Sequence, residues 1–227
     1  MTTQRSARQP VVSLRPEPMK ARIAEILRVK IVSGEYALGE QLSEKTISAE
    51  LGVSRTPIRE ALLLLERNGL LVIKPQSGTY VFNPSRVDTM HLCTMRSILE
   101  IAAIKLAADF QDELVLKRLA EIIKDSNELL EEGSYEDCHW LDTDFHVTLI
   151  EASGNPFLID SYKIIADRSH ALRQLLPLTR KRISRAIKEH KQILQAVRTK
   201  NLTRAEELLT NHVGNVEAML LEHTPET

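Results

Sequence analysis

From Pro18 onward, apolar residues return at helical intervals. Met19, Ile23, Ile26, Leu27 and Ile31 share one predicted face, and Gly34 closes that segment. A short connection, EYALGEQL, leads to Ser43, a good N-cap for a second helix running through Leu51. Gly52 then supplies a tight turn into GVSRTPIREALLLLERNG, where Ile58, Ala61, Leu62 and Leu65 form one apolar stripe. Ser54 is placed to cap this third helix and Pro57 falls in its first turn, where a missing amide costs nothing; Gly69 stops it. After Gly69 the pattern changes. LLVIK and TYVF are short runs rich in β-branched and aromatic residues, and the intervening PQSG makes them a hairpin. Three short helices followed by a hairpin outline a winged helix-turn-helix.

Asn83-Pro84-Ser85 breaks the pattern and reads as a hinge. Beyond it no strand signal appears. Six helices are expected, at about Asp88–Phe110, Asp112–Glu131, Tyr135–Ala152, Pro156–Leu175, Thr179–Lys200 and Thr203–Leu221. Gly133, the Ser153-Gly154-Asn155-Pro156 turn, Pro177 and Asn201 fit their ends, and the short connections imply antiparallel neighbours. The expected fold class is therefore mainly α. A disordered arm (1–17) precedes the winged helix-turn-helix (18–83), a linker (84–87) and an all-α antiparallel bundle of about six helices (88–222); a tail (223–227) follows.

Composition supports two small cores: 227 residues, 43% hydrophobic and only 4% aromatic. The net charge of −1 is informative only once divided. Up to Phe82 there are 12 Lys and Arg against 8 Asp and Glu; the remainder has 18 against 23. A basic front joined to an acidic rear points to an anion-binding module attached to something else. Cys93 and Cys138 form no CxxC, so neither a disulfide framework nor a thiolate metal site is indicated. No apolar run approaches roughly 18 residues, and MTTQRSARQP is followed by no apolar signal core. The expectation is a cytoplasmic protein with no membrane partner.

Arg55 and Arg59, four apart, project from one exposed face near the start of the third helix. With Ser54 and Thr56 they suit a major groove, where Arg pairs bidentately with guanine and hydroxyls reach phosphate. Alone, the stretch fits an amphipathic helix with two solvated arginines equally well. The helices before it and the hairpin after it decide for nucleic acid, with Lys74, Gln76, Ser77 and Gly78 at the wing tip.

In the rear, Asp142 and His146 are four apart on one helix, His190 lies mid-way along the fifth and His212 mid-way along the sixth. An antiparallel bundle can bring these to one point, giving three imidazoles and a carboxylate suited to Zn, Ni, Mn or Fe as a divalent ion. D-x-x-x-H alone is a weak pattern and seven histidines are ordinary, so separately satisfied histidines fit these residues too. Asp144 is the rival carboxylate but faces elsewhere.

The string from Gly34 to Val81, with G-x-x-x-x-G-x-x-L-S-E, GVSRTPIREAL, L-x-x-x-G-L and S-G-T-Y-V, resembles the DNA-binding domain of the GntR family of bacterial transcription regulators. The resemblance implies DNA contacts from Lys45, Ser54, Arg55, Thr56, Arg59 and Gly78. Lys45 stands where relatives often have Arg, so it would meet phosphate as a point charge without the bidentate fork. The rear resembles the helical effector domain of the FadR-like subfamily, called FCD. It carries Arg96 and Glu100 as R-x-x-x-E, Asp142 and His146 as D-x-x-x-H, the S-G-N turn, Glu189-His190 and the late His212. That full set is the metal-binding type, which implies a divalent metal on Asp142, His146, His190 and His212. A small organic-acid effector is then expected beside the metal, with Arg96 as its charge-assisted contact. Arg168, Arg173 and Asn155 are lesser candidates for the pocket wall. The implied protein is a homodimeric, ligand-responsive regulator, usually a repressor, on palindromic double-stranded DNA. The competing reading is a metal-dependent enzyme of the bundle with the front domain as a tether. No HExxH or separately placed acid or base supports it, so the chain is not expected to be an enzyme.

Overall fold

The computed structural model describes residues 18–110 and 113–226; the arm expected at 1–17 lies outside them. The chain begins with α1 (Met19–Val32), β1 (Gln41–Leu42), α2 (Glu44–Leu51) and α3 (Arg55–Arg67). The strands β2 (Leu71–Lys74) and β3 (Gly78–Val81) complete the front. α1 buries Ile23, Ala24, Leu27, Ile31 and Val32, while Met19 and Ile26 are exposed. The apolar stripe is centred nearer Ala24 and Leu27 than the sequence suggested, which leaves those two on its solvent edge. The Ser43 hydroxyl caps α2 by accepting from the Thr46 amide, and Gly52 closes the helix at φ 65°. The expected stripe of α3 is wholly buried: Ile58, Ala61, Leu62 and Leu65. Ser54 occupies the N-cap position in extended geometry, but its hydroxyl caps nothing, contrary to the sequence expectation.

The sheet has a strand that the sequence did not reveal. β1 pairs with β3 (Gln41 opposite Tyr80, Leu42 opposite Thr79), giving the antiparallel order β1-β3-β2. Two residues are too few to show alternation, and only the free edge of β3 makes them a strand. At the wing Gly78 has φ 131°, and a Cβ there would lie 2.6 Å from Gln41 Nε2, which donates to the Ser77 carbonyl. A side chain at 78 is thus excluded by both backbone and space.

The rear consists of α4 (Arg86–Phe110), α5 (Glu113–Glu132), α6 (Tyr135–Glu151), α7 (Pro156–Arg173), α8 (Arg180–Arg198) and α9 (Leu202–Leu221). Asn155, Thr179 and Asn201 cap the last three through their side chains. α6 packs against α4, α5, α7 and α8, and α9 lies along α4 and α8. The largest core cluster includes Ile104, Leu119, Ile122, Phe145, Leu149, Ile193 and Leu209, all but fully buried. Each such side chain contributes about 1.5–3 kcal/mol on burial. This packing holds the polar faces of α6, α8 and α9 turned towards one another.

Two contacts fasten the front to the bundle. α7 lies against α1: Ala171 joins the front core, Arg28 pairs with Asp167 at 2.7 Å, and Gln174 Nε2 donates to the Val32 carbonyl. At the hinge, the Arg86 amide donates to the Pro225 carbonyl at 2.8 Å, and Thr224 is buried. The described residues of the expected tail are therefore folded onto the hinge.

Candidate metal centre and nucleic-acid interface

The structure brings Asp142 and His146 of α6, His190 of α8 and His212 of α9 together, with one ligand atom of each within 4.8 Å of all the others. His146 Nε2 and His212 Nε2 are 3.2 Å apart, and His190 Nε2 lies 3.5 Å from Asp142 Oδ1. Two further carboxylates fix the tautomers. Glu100 Oε2 accepts from His146 Nδ1 at 2.8 Å, and Glu189 Oε2 accepts from His212 Nδ1 at 2.7 Å. With both Nδ1 atoms protonated, the two Nε2 atoms face each other as bare lone pairs. His190 Nε2 is buried without a hydrogen-bond partner, its ring stacked on Phe145 at 3.9 Å. Converging lone pairs with no proton between them are costly unless a cation lies among them.

The protonation states agree. Burial, and after it Arg96, outweighs Glu100 and lowers His146 to about 4. Burial and then His212 hold His190 well below the usual histidine range. Burial opposes ionisation of Asp142, but Arg173 and then His190 outweigh it and hold the carboxyl well below its ordinary value. Neutral imidazoles with an ionised carboxylate are the ligand-competent state of such a set. These residues fit a divalent ion, and four protein ligands leave positions open on an ion that takes six.

Arg96, expected at the effector, is buried on α4 with Nε donated to Glu100 at 2.7 Å and Nη2 without a partner. It does not line the cavity beside the centre. Arg173 does: its Nη2 lies 3.2 Å from Asp142 Oδ2 and 2.6 Å from the Thr143 hydroxyl, while its Nε is buried and unpartnered. That cavity, about 310 Å³, is also bordered by Asp142, Glu189, His212 and Asn215. Arg168 instead sits against Gly69 and donates to the Ile164 carbonyl, and Asn155 serves as a cap. Asp144 is exposed, facing away as expected. In the sequence, Glu100 and Glu189 are visible only as motif markers; their i, i+4 and i−1 relations to Arg96 and His190 do not reveal which histidine each one orients.

At the front, Lys45, Ser54, Arg55, Thr56 and Arg59 are all exposed on or beside α2 and α3. Arg59 Nε is bound to Glu44 at 2.8 Å, so one of the two arginines expected to be solvated has a partner. At the wing tip Gln76 adopts a left-handed φ of 61°, and Lys74 lies over the Tyr80 ring at 5.0 Å. An arginine-tipped helix start and a narrow wing beside it are the surfaces a winged helix presents to duplex DNA.

Fold and site together define a class: a winged-helix head carried on a helical sensor bundle. The chain belongs to the gntR family of bacterial regulatory proteins, whose model matches residues 19–81, and carries an FCD domain over residues 91–215. It is 29% identical over 218 residues to the Uxu operon regulator of Haemophilus influenzae, covering 88% of this chain and 81% of that one. It is 27% identical over 200 residues to the HTH-type transcriptional repressor RspR of Escherichia coli, covering 88% of each. A GntR transcriptional regulator from Rhodococcus sp. RHA1 shares the fold at a TM-score of 0.79 and 24% identity, over 89% of this chain and 97% of that one. The family and these relatives are transcription regulators, not enzymes. Membership implies DNA as the partner of the head and a small-molecule effector for the bundle. Among the described residues no helix is long and apolar enough to cross a membrane.

Proposed function

We propose that this protein is a cytoplasmic, homodimeric repressor whose bundle binds a divalent ion and, beside it, a small organic acid that alters its grip on a palindromic operator. The observation that carries this reading is the convergence of three imidazoles and Asp142, their hydrogen-bonded carboxylates behind them, on a cavity walled by Arg173. Asp142, His146, His190 and His212 hold the ion, which serves as a Lewis-acidic anchor for a carboxylate. Arg173 contributes the charge-assisted contact first expected of Arg96, its unpartnered Nε being in the cavity wall. On DNA, Arg55, Thr56 and Arg59 enter the major groove, while Lys45, Ser54 and the backbone at Gly78 meet phosphate.

The two-fold partner is a second copy seated on α4 and α7. These helices pack together, and their outer faces leave Met95 and Ile98, and Phe157 and Ile164, in solvent. Phe157 is 83% exposed and Ile98 57%, an arrangement natural to an interface between copies. The test of the whole reading is a fluorescence-anisotropy titration of the gene's own upstream DNA with metal-loaded and chelated protein. Specific, salt-sensitive binding that responds to metal and a small carboxylic acid is expected. Absence of specific binding at low protein concentration, or indifference to every such acid, overturns it.

A further inference from the structure

The cavity beside the metal centre carries more positive charge than its own carboxylates balance. Arg173, Lys181, Arg182 and Arg185 line it against Asp142 and Glu189. Arg173 is matched by Asp142 and Arg185 by Glu189, at 3.2 and 2.9 Å. Lys181 and Arg182 make no ion pair with any described residue; Arg182 is half-buried and commits only its Nε, to the Pro177 carbonyl at 3.0 Å. A divalent ion on the four ligands would deepen the surplus.

The position of the two cations adds to this. Arg180, Lys181 and Arg182 form the first turn of α8, which contains no acidic residue. Lys and Arg at the positive end of a helix are unfavourable, the reverse of the usual placement. Arg180 is drawn off by Glu131 at 2.6 Å, so the uncompensated pair faces the cavity. The buried, unpartnered Nε of Arg173 is in the same wall, a second donor with nothing to bind. At about 310 Å³ the space is at the small end of ligand pockets, fitting a compact acid rather than a long acyl chain.

We propose that the effector is a small acid with two anionic groups, one taken by the metal centre and Arg173, the other by Lys181 and Arg182 at the start of α8. This rests on the metal-and-acid reading above and adds the second anion. A monocarboxylate would leave Lys181 and Arg182 unanswered. The second group is a carboxylate or a phosphate ester, either of which meets the Arg182 guanidinium through paired oxygens.

The experiment is calorimetric titration of metal-loaded, full-length protein with acids matched in pairs: lactate and malate, gluconate and glucarate, glycerate and 3-phosphoglycerate. In at least one pair the dianionic member binds about tenfold or more tightly than its partner, a typical return for one charge-assisted contact. The first two pairs report a second carboxylate and the third a phosphate. In Lys181→Gln/Arg182→Gln that preference vanishes while monoanion affinity stays within about twofold, and the metal-free variant melts no lower than the parent because unfavourable first-turn charges are gone. Monoanions binding as tightly as their partners, or a preference that survives the double substitution, overturns the second-anion assignment alone. Failure of every acid to bind the metal-loaded protein overturns both it and the reading on which it rests.

Discussion

Glu100→Gln tests the centre where its support is most concentrated. The carboxylate is fully buried and receives three donors: Arg96 Nε at 2.7 Å and the Tyr162 hydroxyl at 2.9 Å on Oε1, and His146 Nδ1 at 2.8 Å on Oε2. Glutamine keeps the shape and the Oε1 acceptor but puts an NH₂ against the imidazole N–H. To avoid donor facing donor, His146 must move its proton to Nε2, the nitrogen that faces His212. Metal affinity is then expected to fall about 10–100-fold, the usual cost of losing such an outer partner. Stability falls for a separate reason. Arg96 loses the counter-charge 2.7 Å away while its Nη2 already lacks a partner. Breaking a buried pair from one side costs about 3–5 kcal/mol, which at about 2–4 °C per kcal/mol lowers the melting temperature by roughly 10 °C. Melts of chelated protein isolate the second effect, and competition with a chromophoric chelator measures the first. Tyr162→Phe is the control: it removes one donor, costs about 1–2 kcal/mol and spares the imidazole. A chelated Glu100→Gln protein melting within about 2 °C of the parent, with metal affinity unchanged, would refute the argument that Glu100 sets the tautomer and balances Arg96.

Arg55→Ala/Arg59→Ala is expected to abolish high-affinity operator binding and to shrink the salt slope by about one unit for each phosphate left without its cation, read by anisotropy across a salt series. Glu44→Gln releases Arg59 from an exposed ion pair, so operator binding should tighten while thermal stability moves by less than about 1 kcal/mol. Ile98→Asp and Phe157→Asp are expected to give folded monomers by sedimentation velocity; an unchanged dimer would move the interface off α4 and α7. The buried pair His139 and His170, its rings 4.3 Å apart, gives an acid signature. Burial, and then Arg173, lowers them to about 3 and about 2 from 6.5, so only the unfolded chain binds their protons between those values. Stability is therefore full above pH 6.5 and is lost as pH falls towards 3, by up to about 2.7 kcal/mol per unit when both titrate. Urea unfolding at stepped pH should show that slope, roughly halved in His170→Gln.

What the sequence made legible follows from the range of the interaction concerned. The stripe Ile58, Ala61, Leu62, Leu65 and the i, i+4 pair Asp142 and His146 are set within one helix, so periodicity alone places them. β1 depends on an edge of β3 almost forty residues away, and no local pattern announces it. Arg96 and Glu100 show the limit of a spacing rule: an i, i+4 pair is worth a few tenths of a kcal/mol on a surface, but here it is buried against His146 and Tyr162 and becomes structural. Arg173 was visible only as one more basic residue, because what directs it at Asp142 is the packing of α7 on α6. That packing also joins sensing to DNA binding. Two residues before Arg173 on the same helix, Ala171 is buried in the front core, and four residues further back Asp167 holds Arg28 of α1. A rigid helix cannot yield to an anion at one of these positions while leaving the others in place, so an occupied cavity acts on the head through α7 without any need for a longer route.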